Sequence, residues 1–306
     1  PVFHTINRNK LGVTLNLKTN EGVNLLKQLI ARSDVVMNNF SPGVMGRIGL
    51  DYPDLRKLRP DIIVVSMPSV GNTGPLKDIL AYAPIIQALS GLMSVVGYES
   101  KEEPQQEERL VGELQSPWSD AVASVHAGLA VLAALRHRNR TGRGQSIEVA
   151  QLEATTSMLG EAFLSCQITG LEQPPHGNRD VEFAPHNNYP CLGDDKWVSI
   201  GAKTEDEWRG FCRALGQPDW TRDKRFMDRA SRLGNVSVLD GYVSQWTRQF
   251  SAQEITEKLQ EHGVAAMPVM NIEDQFLDQH LQQRQAYAEV EHPHIGAEWV
   301  LSLIHI

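Results

Sequence analysis

Asp120 is the strongest candidate for a reactive residue, because of both its side-chain type and its position in the chain. It falls in the first turns of a predicted long helix, directly after the segment Ser116-Pro-Trp-Ser119. An acidic residue there is stabilised by the positive end of the helix dipole, so a purely structural role explains it well. The same field keeps a carboxylate ionised and therefore nucleophilic. The spacing alone favours the structural role and leaves covalent catalysis as the alternative.

Two loops at predicted strand ends suit an anionic ligand. Gly71-Asn-Thr-Gly74 would bring backbone N–H groups close to a phosphate or a thioester oxygen, with a plain turn as the equal alternative. It lacks the Gly-Lys-Ser/Thr ending of a P-loop. In the other loop, Asn39, Phe40 and Arg47 suit an adenine ring and a phosphate. A structural turn with a surface arginine is the more common explanation of that pattern.

The remaining polar clusters favour structural roles. The basic run His137-Arg-Asn-Arg-Thr-Gly-Arg143 lies at a predicted helix C-terminus, where cations stabilise the dipole. His126 is expected to pack along the long helix. His176 and His186 lie in a Gly- and Asn-rich segment from which they could approach a site. No His, Asp or Glu spacing indicates a metal site, and no Gly-x-Ser-x-Gly nucleophile motif occurs.

Bulk properties argue against several classes of protein. The 306 residues are 41% hydrophobic and 22% charged, which is typical of a globular chain with more than one domain. A net charge of -8 gives no global attraction for nucleic acid. The longest apolar run, residues 122–135, is interrupted by Ser124 and His126. It falls short of the ~18 residues of a membrane span, so we expect a buried helix and no membrane partner.

The cysteines and the chain ends bear on the compartment. Cys166, Cys191 and Cys212 show no CxxC spacing, which argues against a disulfide framework or a zinc site and indicates a reducing compartment. The chain begins at Pro1 and stops in an apolar run, so we expect a fragment at both ends. We expect a cytoplasmic location, and a mitochondrial one stays open because a leader would precede Pro1.

Alternating strands and helices predict how the candidate residues are positioned. Strands are predicted at 13–17, 34–37, 61–67 and 145–149, and helices at 19–33, 52–58, 83–93, 116–137 and 153–168. Such alternation is typical of an α/β domain with a mostly parallel sheet. Ligands of these sheets bind at the carboxyl ends of the strands, where both loops lie.

A second α/β region follows a segment rich in Pro, Gly, His and Asn, residues 170–188. Strands are predicted there at 197–200 and 264–270, and helices at 205–215 and 252–262. We therefore expect a large domain of residues 1–175. Residues 176–306 would form a linker and a smaller α/β domain.

A series of short motifs in a fixed order adds to these patterns. The chain carries, in order, Asn7-Arg-Asn-Lys10, Val13-Thr-Leu-Asn-Leu-Lys18, Asp34-Val-Val, Asn39-Phe-Ser-Pro-Gly43, Arg47-Ile-Gly-Leu50, Gly71-Asn-Thr-Gly-Pro75, Gln87-Ala-Leu-Ser-Gly91, Asp120 and Thr141-Gly-Arg-Gly-Gln145. Each motif is weak alone, but the ordered set is specific. It resembles the class III coenzyme A transferase family, which includes formyl-CoA transferase and carnitine-type CoA transferases. The match extends over nearly the whole chain.

The resemblance implies a fold and an assembly. The family has a large Rossmann-like domain with a mostly parallel sheet and a smaller α/β domain. Its two chains thread through each other as an interlocked ring homodimer. Compared with that pattern, the first strand of the large domain and the C-terminal return to it are expected to be missing.

The resemblance also implies a reaction and a site. The family moves coenzyme A from an acyl-CoA thioester to a small carboxylic acid, with acyl-CoA as substrate and no prosthetic group. Asp120 matches the catalytic aspartate, which carries a covalent aspartyl intermediate, and backbone N–H groups of residues 71–74 would stabilise the oxyanions. The positions that match or adjoin coenzyme A contacts are Leu15, Lys18, Asn39, Phe40, Ser41, Arg47, Pro68, Ser69, Val70 and Gly71.

Departures from formyl-CoA transferase bear on the substrate. A lysine of that enzyme matches Pro68, and its glycine-rich flap has no counterpart between Asn178 and Pro190. These differences argue against formate or oxalate and favour a bulkier acid.

Three alternatives stay open. An acyl-CoA racemase of the same superfamily would need a histidine at the position of Tyr82. An inactive, truncated homologue would explain the abrupt ends of the chain. A dinucleotide-binding α/β protein would require a Gly-x-Gly-x-x-Gly motif that this sequence lacks.

Overall fold

The chain forms two compact units. The computed structural model describes residues 3, 6–99, 109–111, 114 and 117–302. Leu11–Gly177 forms the unit called here the N-terminal unit, and the described residues of Asn178–Ile306, with those of Pro1–Lys10, form the C-terminal unit. The predicted domain division between residues 175 and 176 stays a prediction.

The N-terminal unit alternates strands with helices, as predicted. Its strands are β1 Val35–Asn38, β2 Ile63–Ser66, β3 Gly97–Glu99, β4 Arg109–Val111 and β5 Ser146–Glu148. Its helices are α1 Asn20–Ile30, α2 Val44–Arg47, α3 Tyr52–Leu58, α4 Ala83–Leu89, α5 Leu92–Val95, α6 Trp118–Thr141, α7 Gln151–Thr156 and α8 Gly160–Thr169, with a 3-10 turn at Ser157–Leu159.

A parallel sheet of order β1-β2-β5 organises this unit, which confirms the predicted α/β class. β1 pairs with β2 from Val35–Ile63 to Asn38–Ser66, and β2 pairs with β5 from Val64 to Ser66. The β-branched run of β2 is buried because both faces of the central strand are covered. Val64 packs with residues of α1 and α3, whereas Ile63 and Val65 pack with Ala127 and Ala134 of α6.

The helices of this unit begin where local capping predicts. Thr19 caps α1 by accepting the N–H of Gly22, and Asp51 caps α3 by accepting the N–H of Asp54. Gly22 is required at its position, since an added Cβ would lie 2.1 Å from the Asn16 carbonyl oxygen. The predicted helices at 19–33 and 52–58 are therefore confirmed.

Several predicted elements differ from the structure. The predicted helix at 153–168 is divided into α7 and α8 by the 3-10 turn at Ser157–Leu159. Residues 13–17 form no strand, and among the described residues no strand pairs with them. An alternating segment without a ladder partner leaves its backbone to water, because strand structure depends on pairing. The predicted helix at 83–93 is divided into α4 and α5 at Gly91, whose φ of +86° interrupts the helical backbone.

Helix α6 is longer and more exposed than predicted. It continues to Thr141, and Val125, Leu129, Leu132 and His126 are exposed, so the expected buried helix with a packed histidine is wrong. In the described part of the chain, α6 alone is long and apolar enough to cross a membrane by length and composition. Core helices of soluble proteins pass the same test, so this is weak evidence.

The C-terminal unit contains a second sheet and more helices. Its strands are β6 His186–Pro190, β7 Trp197–Gly201, β8 Ala265–Pro268, β9 Tyr287–His292 and β10 Gly296–Leu301. Its helices are α9 Glu205–Ala214, α10 Arg229–Gly234, α11 Val236–Thr247, α12 Ala252–Glu261, α13 Ile272–Leu277 and α14 Gln279–Gln283, with 3-10 segments at Asp219–Arg222 and Lys224–Phe226. The sheet β6-β7-β8 is antiparallel, and β9 and β10 form a separate antiparallel pair.

A buried arginine lies in the core of the C-terminal unit. Arg232 is fully buried, and its guanidinium donates to the carbonyl oxygens of Ala184 and Phe226. It also donates to Glu205 at 2.6 Å and lies 4.8 Å from the ring centroid of Trp208. A buried charge is costly unless it is paired. These contacts therefore offset the cost of burying the Arg232 guanidinium.

Candidate active site

A cavity of about 380 Å³ lies at the carboxyl edge of the parallel sheet. Its wall combines residues that follow each of the three strands with residues from the starts of α4 and α6. It is lined by Asn39, Ser41, Ser69, Ile79, Leu80, Ala81, Tyr82, Ala83, Ile86, Asp120 and Gln151. This is the place where parallel α/β sheets bind ligands.

Asp120 lies in this cavity through the start of α6. The helix begins at Trp118, and Pro117 precedes it without a side-chain capping bond. Ser119 is fully buried, and its Oγ donates to the Ala83 carbonyl oxygen at 3.4 Å, which ties the start of α6 to the start of α4. Asp120 itself stays exposed to the cavity. The N-terminus of α6 is thus held in place while its carboxylate is free to meet a ligand.

The Asp120 carboxyl group is protonated more readily in this cavity than it would be in bulk water. Partial removal of its hydration by the surrounding atoms raises the pKa of the carboxyl above its usual range. The residue is exposed overall, so this effect acts on a carboxylate that a ligand can still reach. A less hydrated carboxylate is also a better nucleophile.

The polar side of the cavity comes from the strand ends. Asn39 and Ser41 follow β1, Ser69 follows β2, and Gln151 opens α7 after β5. The Gln151 N–H donates to the Pro68 carbonyl oxygen at 3.0 Å, and its Nε2 donates to the Met67 carbonyl oxygen at 3.3 Å. The segment after β2 is therefore bonded to the segment after β5.

Aliphatic residues also line the cavity. Ile79, Leu80 and Ile86 contribute aliphatic surface, and Tyr82 is the N-cap residue of α4. Tyr82 is 82% exposed, so its phenol can reach a ligand. The cavity therefore offers both polar and aliphatic surface to a small molecule.

A neighbouring cavity of about 260 Å³ extends along the same sheet edge. Its lining includes Phe40, Gly43, Asn72 and Ser146, and it shares Ser41 with the Asp120 cavity. The structure therefore brings Asn39, Ser41 and Ser69 to Asp120 and places Phe40 in the adjoining space. The remaining predicted contact residues line neither cavity: Leu15, Lys18, Arg47, Pro68, Val70 and Gly71.

These six residues lie on nearby segments. Leu15 and Lys18 precede α1, and Arg47 ends α2 with its guanidinium close to Gly43. Pro68 and Gly71 are buried in the loop after β2, and Val70 is half-buried there. The segments that should hold coenzyme A thus surround the carboxyl edge of the sheet without all of them facing the cavities.

The glycine loop is engaged differently from the prediction. The Asn72 N–H donates to Glu148 Oε1 at 2.8 Å, and Asn72 Nδ2 donates to Glu148 Oε2 at 2.7 Å. That one backbone N–H is therefore engaged by Glu148, and an oxyanion role for the other N–H groups of residues 71–74 stays a prediction. Gly71 and Gly74 adopt φ angles of +104° and +89°, so both positions favour glycine in this loop.

Glu148 and Gln151 are site residues that the sequence analysis missed. Glu148 ends β5 and Gln151 follows it, at a strand predicted at 145–149 whose carboxyl end was given no ligand role. The rule that parallel strands end at one edge of the sheet would have pointed to them. Their partners lie far away in sequence, 76 residues in the case of Glu148 and Asn72, so no local pattern marks the contact.

Comparison with known proteins matches this architecture. The family described as CoA-transferase family III matches residues 1–304. The chain belongs to CoA-transferase family III. This assignment confirms the resemblance seen in the sequence and the class of enzyme inferred from it.

Curated relatives of this family III chain are named as CoA-transferases. The chain is 30% identical to a succinyl-CoA–D-citramalate CoA-transferase of Chloroflexus aurantiacus over 289 residues, which cover 94% of this chain and 70% of that protein. It is 29% identical to a succinate–glutarate CoA-transferase of Agrobacterium fabrum over 293 residues, covering 94% of this chain and 70% of that one.

A solved structure shares the fold of this family III chain. It is a CAIB/BAIF family protein from Brucella suis, with a TM-score of 0.84 and 26% sequence identity. The superposition covers 97% of this chain and 78% of that one. The mixed α/β architecture with a parallel sheet is therefore the architecture of the family.

Proposed function

We propose that this protein moves coenzyme A from an acyl-CoA to a carboxylic acid, with Asp120 as the covalent nucleophile. One observation carries the proposal: the Asp120 carboxylate lies in a cavity at the carboxyl edge of the sheet, beside Asn39, Ser41 and Ser69. Three residues on two of the segments that match or adjoin coenzyme A contacts thereby meet the one carboxylate in the described lining of this cavity.

The first half of the reaction transfers coenzyme A to the enzyme. An Asp120 carboxylate oxygen attacks the thioester carbonyl carbon of the donor, the C–S bond breaks, and the coenzyme A thiolate leaves a mixed anhydride on Asp120. The thiolate then attacks the aspartyl carbonyl carbon. The donor leaves as a free carboxylate, and Asp120 becomes an aspartyl–coenzyme A thioester.

The second half reverses these steps on another acid. The acceptor carboxylate attacks the aspartyl thioester, releases the thiolate and forms a second anhydride. The thiolate attacks the acceptor's carbonyl carbon, which yields the new acyl-CoA and restores the Asp120 carboxylate. No proton is consumed, and each intermediate lies near the energy of a thioester or an anhydride.

The neighbouring side chains would bind and orient the two substrates. The Asn39 amide and the Ser41 and Ser69 hydroxyls can donate hydrogen bonds to a thioester oxygen or a carboxylate. Lys18 and Arg47 would pair with the phosphates of coenzyme A, since both carry the charge that such anions require. Ile79, Leu80 and Ile86 would contribute aliphatic contacts to the substrates.

The names of the relatives support a proposal for the class of acceptor. The two curated relatives described above are named for succinyl-CoA, citramalate, succinate and glutarate. We infer a donor and an acceptor of this kind, dicarboxylic acids of four or five backbone carbons. No lysine or arginine occurs among the described residues that line the cavity, so hydrogen-bond donors such as Tyr82 would hold the second carboxylate.

Racemisation is disfavoured by the same cavity. A racemase needs a base that removes the proton next to the thioester, and Tyr82 stands where the resemblance places a histidine. No histidine occurs among the described residues of the lining. Deuterium incorporation at the α-carbon of an acyl-CoA in heavy water would favour this second function.

Trapping of the intermediate tests the nucleophile. The protein is incubated with succinyl-CoA, quenched with hydroxylamine and digested for mass spectrometry. Hydroxylamine converts an aspartyl anhydride or thioester into a hydroxamate, and we expect that hydroxamate on Asp120. Asp206→Asn is the matched control, because Asp206 also lies in the first turn of a helix but on an exposed surface. A hydroxamate on another residue, or none in an active protein, contradicts the proposal.

We further propose that the working protein is an interlocked homodimer. The exposed apolar side chains of α6, Val125, Leu129 and Leu132, support it, because an isolated chain would leave this surface to water. A second copy of the chain would cover it. Sedimentation velocity should give twice the chain mass of 34.1 kDa, and a single chain at micromolar concentration contradicts the assembly.

A further inference from the structure

The Glu148 carboxylate has two partners on one residue. It ends β5 at the carboxyl edge of the sheet, and its two oxygens accept the backbone N–H and the side-chain amide of Asn72 at 2.8 and 2.7 Å. Hydrogen bonds to an ionised acceptor are roughly twice as strong as neutral ones. A two-point contact also fixes direction, so it holds both the backbone and the side chain of Asn72.

The same loop is held at its other end by backbone bonds. The carbonyl oxygens of Pro68 and Ser69 accept the N–H groups of Gln151 at 3.0 Å and Leu152 at 2.8 Å. Ser69 therefore enters the Asp120 cavity from a segment that is bonded on both sides. The segment after β5 supplies all of these partners.

The fit between Glu148 and the loop is close. Gly71 is buried and adopts a φ of +104°, and a Cβ added there would lie 3.4 Å from Glu148 Oε1 and 3.8 Å from the Ala150 Cβ. A left-handed glycine lets the backbone turn against the carboxylate. The contact is thus part of the loop's shape and not an incidental surface pair.

We infer that Glu148 is a positioning residue for the acyl-CoA thioester. Its carboxylate fixes Asn72 and so keeps Ser69 in the wall of the Asp120 cavity. Glu148 lines neither cavity, so it acts through the loop and not on the substrate. The inference rests on the proposed function, since the thioester is the group that the loop would hold against Asp120.

Exchange of the polar groups tests this role. Asn72→Asp places two carboxylates together, which repel each other and free the loop. Glu148→Gln combined with Asn72→Asp restores complementary groups, because the new carboxamide can accept the backbone N–H and donate to the new carboxylate. A matched control is Glu254→Gln, since Glu254 likewise accepts a backbone N–H and a side-chain donor, both of Ser251 at 2.8 Å.

The kinetics should separate positioning from folding. For succinyl-CoA as donor, Asn72→Asp should lower kcat/KM by about tenfold to a hundredfold, because small misplacements of a reacting group are costly. The double variant should recover to within about threefold of the unmodified protein, since the two changes couple. Glu254→Gln should leave kcat/KM unchanged. Thermal unfolding of every variant, and calorimetric binding of succinyl-CoA, accompany the kinetics.

The outcomes distinguish this inference from the proposed function. An active unmodified protein in which Asn72→Asp keeps full kcat/KM overturns the positioning role, and so does a double variant no better than Asn72→Asp. An unmodified protein without transferase activity overturns the proposed function instead. The Kd values for succinyl-CoA then test the positioning role. That role predicts weaker binding by Asn72→Asp, recovery in the double variant and no change in Glu254→Gln. Equal Kd values in all the variants overturn it.

Discussion

The two units bury their side chains in different ways. In the C-terminal unit, one continuous core joins Tyr189, Phe211 and Phe226 to residues of three strands and several helices. In the N-terminal unit, two smaller clusters lie on opposite faces of the parallel sheet, around Leu55 and around Val65. The N-terminal unit also leaves the apolar face of α6 exposed.

The two units also differ in how their polar groups are paired. The C-terminal unit surrounds its buried charges with partners: Asp240 accepts from Tyr189 at 2.8 Å and from Arg179 at 2.9 Å, and Arg232 has three acceptors. In the N-terminal unit, Asp120 faces a cavity and loses hydration, and none of the described residues is a charged partner of its carboxylate. The C-terminal unit thus uses these polar groups for stability, whereas the N-terminal unit leaves the Asp120 carboxylate accessible to a ligand.

Replacement of the nucleophile should give the largest effect. Asp120→Asn preserves the shape of the side chain and removes its charge, so kcat should fall by about 10⁴-fold or more. The unfolding transition should stay in place, because the side chain packs against no core. Steady-state kinetics measure the fall in kcat, and thermal unfolding measures whether the transition temperature is unchanged. Activity within tenfold of the unmodified protein would remove Asp120 from the mechanism.

Replacement of the buried Arg232 should lower the stability of the protein, whereas replacement of Asp120 should lower its activity. Arg232→Met leaves the Ala184 and Phe226 carbonyl oxygens without their donor and Glu205 without its partner, at a cost of about 3–5 kcal/mol. Urea unfolding measures this loss. Arg209→Met, at the exposed Arg209–Asp206 pair, is the control and should cost about 0–1 kcal/mol. Equal losses in both variants would contradict the role of burial.

A charge on the exposed face of α6 sharpens the comparison in solution. Leu129 is 68% exposed, so Leu129→Glu should change the unfolding free energy of an isolated chain by no more than about 0.5 kcal/mol. Burial of the new carboxylate in a homodimer would weaken association strongly. Sedimentation velocity should show single chains for this variant. A dimer that persists unchanged would place the contact elsewhere.

Acid should separate activity from folding. The Arg225 side chain and backbone N–H lower the pKa of Asp223 from 3.8 to about 2, so its stabilisation is complete above 3.8 and is lost as pH falls towards 2. Desolvation raises the pKa of Asp120 above 3.8, and the nucleophile must be ionised. Activity should therefore fall at a higher pH than the folded signal does. Rates and circular dichroism on the same samples check the order, and Asp223→Asn should reduce the acid dependence of stability slightly and leave the pH dependence of the rate unchanged.

The smallest expected effect is the difference in reactivity between the cysteines of the two units. Cys166 of the N-terminal unit is exposed, whereas burial raises the pKa of Cys191 and of Cys212 in the C-terminal unit to about 11. Because the thiolate is the reactive form, a thiol reagent at neutral pH should modify Cys166 first. Peptide mapping after brief alkylation identifies the site. Early modification of Cys191 would show that the core of the C-terminal unit opens readily.

Much of the N-terminal unit could be predicted from local patterns. The β-branched run of β2, the capping residue Thr19 and the alternation of strands with helices predict the class of fold and place loops at the carboxyl ends of strands. The same patterns failed at residues 13–17, where alternation predicts a strand but no described strand pairs with it. They also failed for α6, because an apolar sequence does not say which of its faces another element will cover.

Local patterns and the order of the motifs predict the α/β class, the family and the place of Asp120 at a helix start. These features depend on residues close together in the chain or on the order of motifs. Tertiary packing alone brings Asn39, Ser69 and Asp120 to one cavity, joins Glu148 to Asn72, and buries Arg232 with its partners. Such contacts join distant segments, and they follow from strand register and helix packing, which no local pattern encodes.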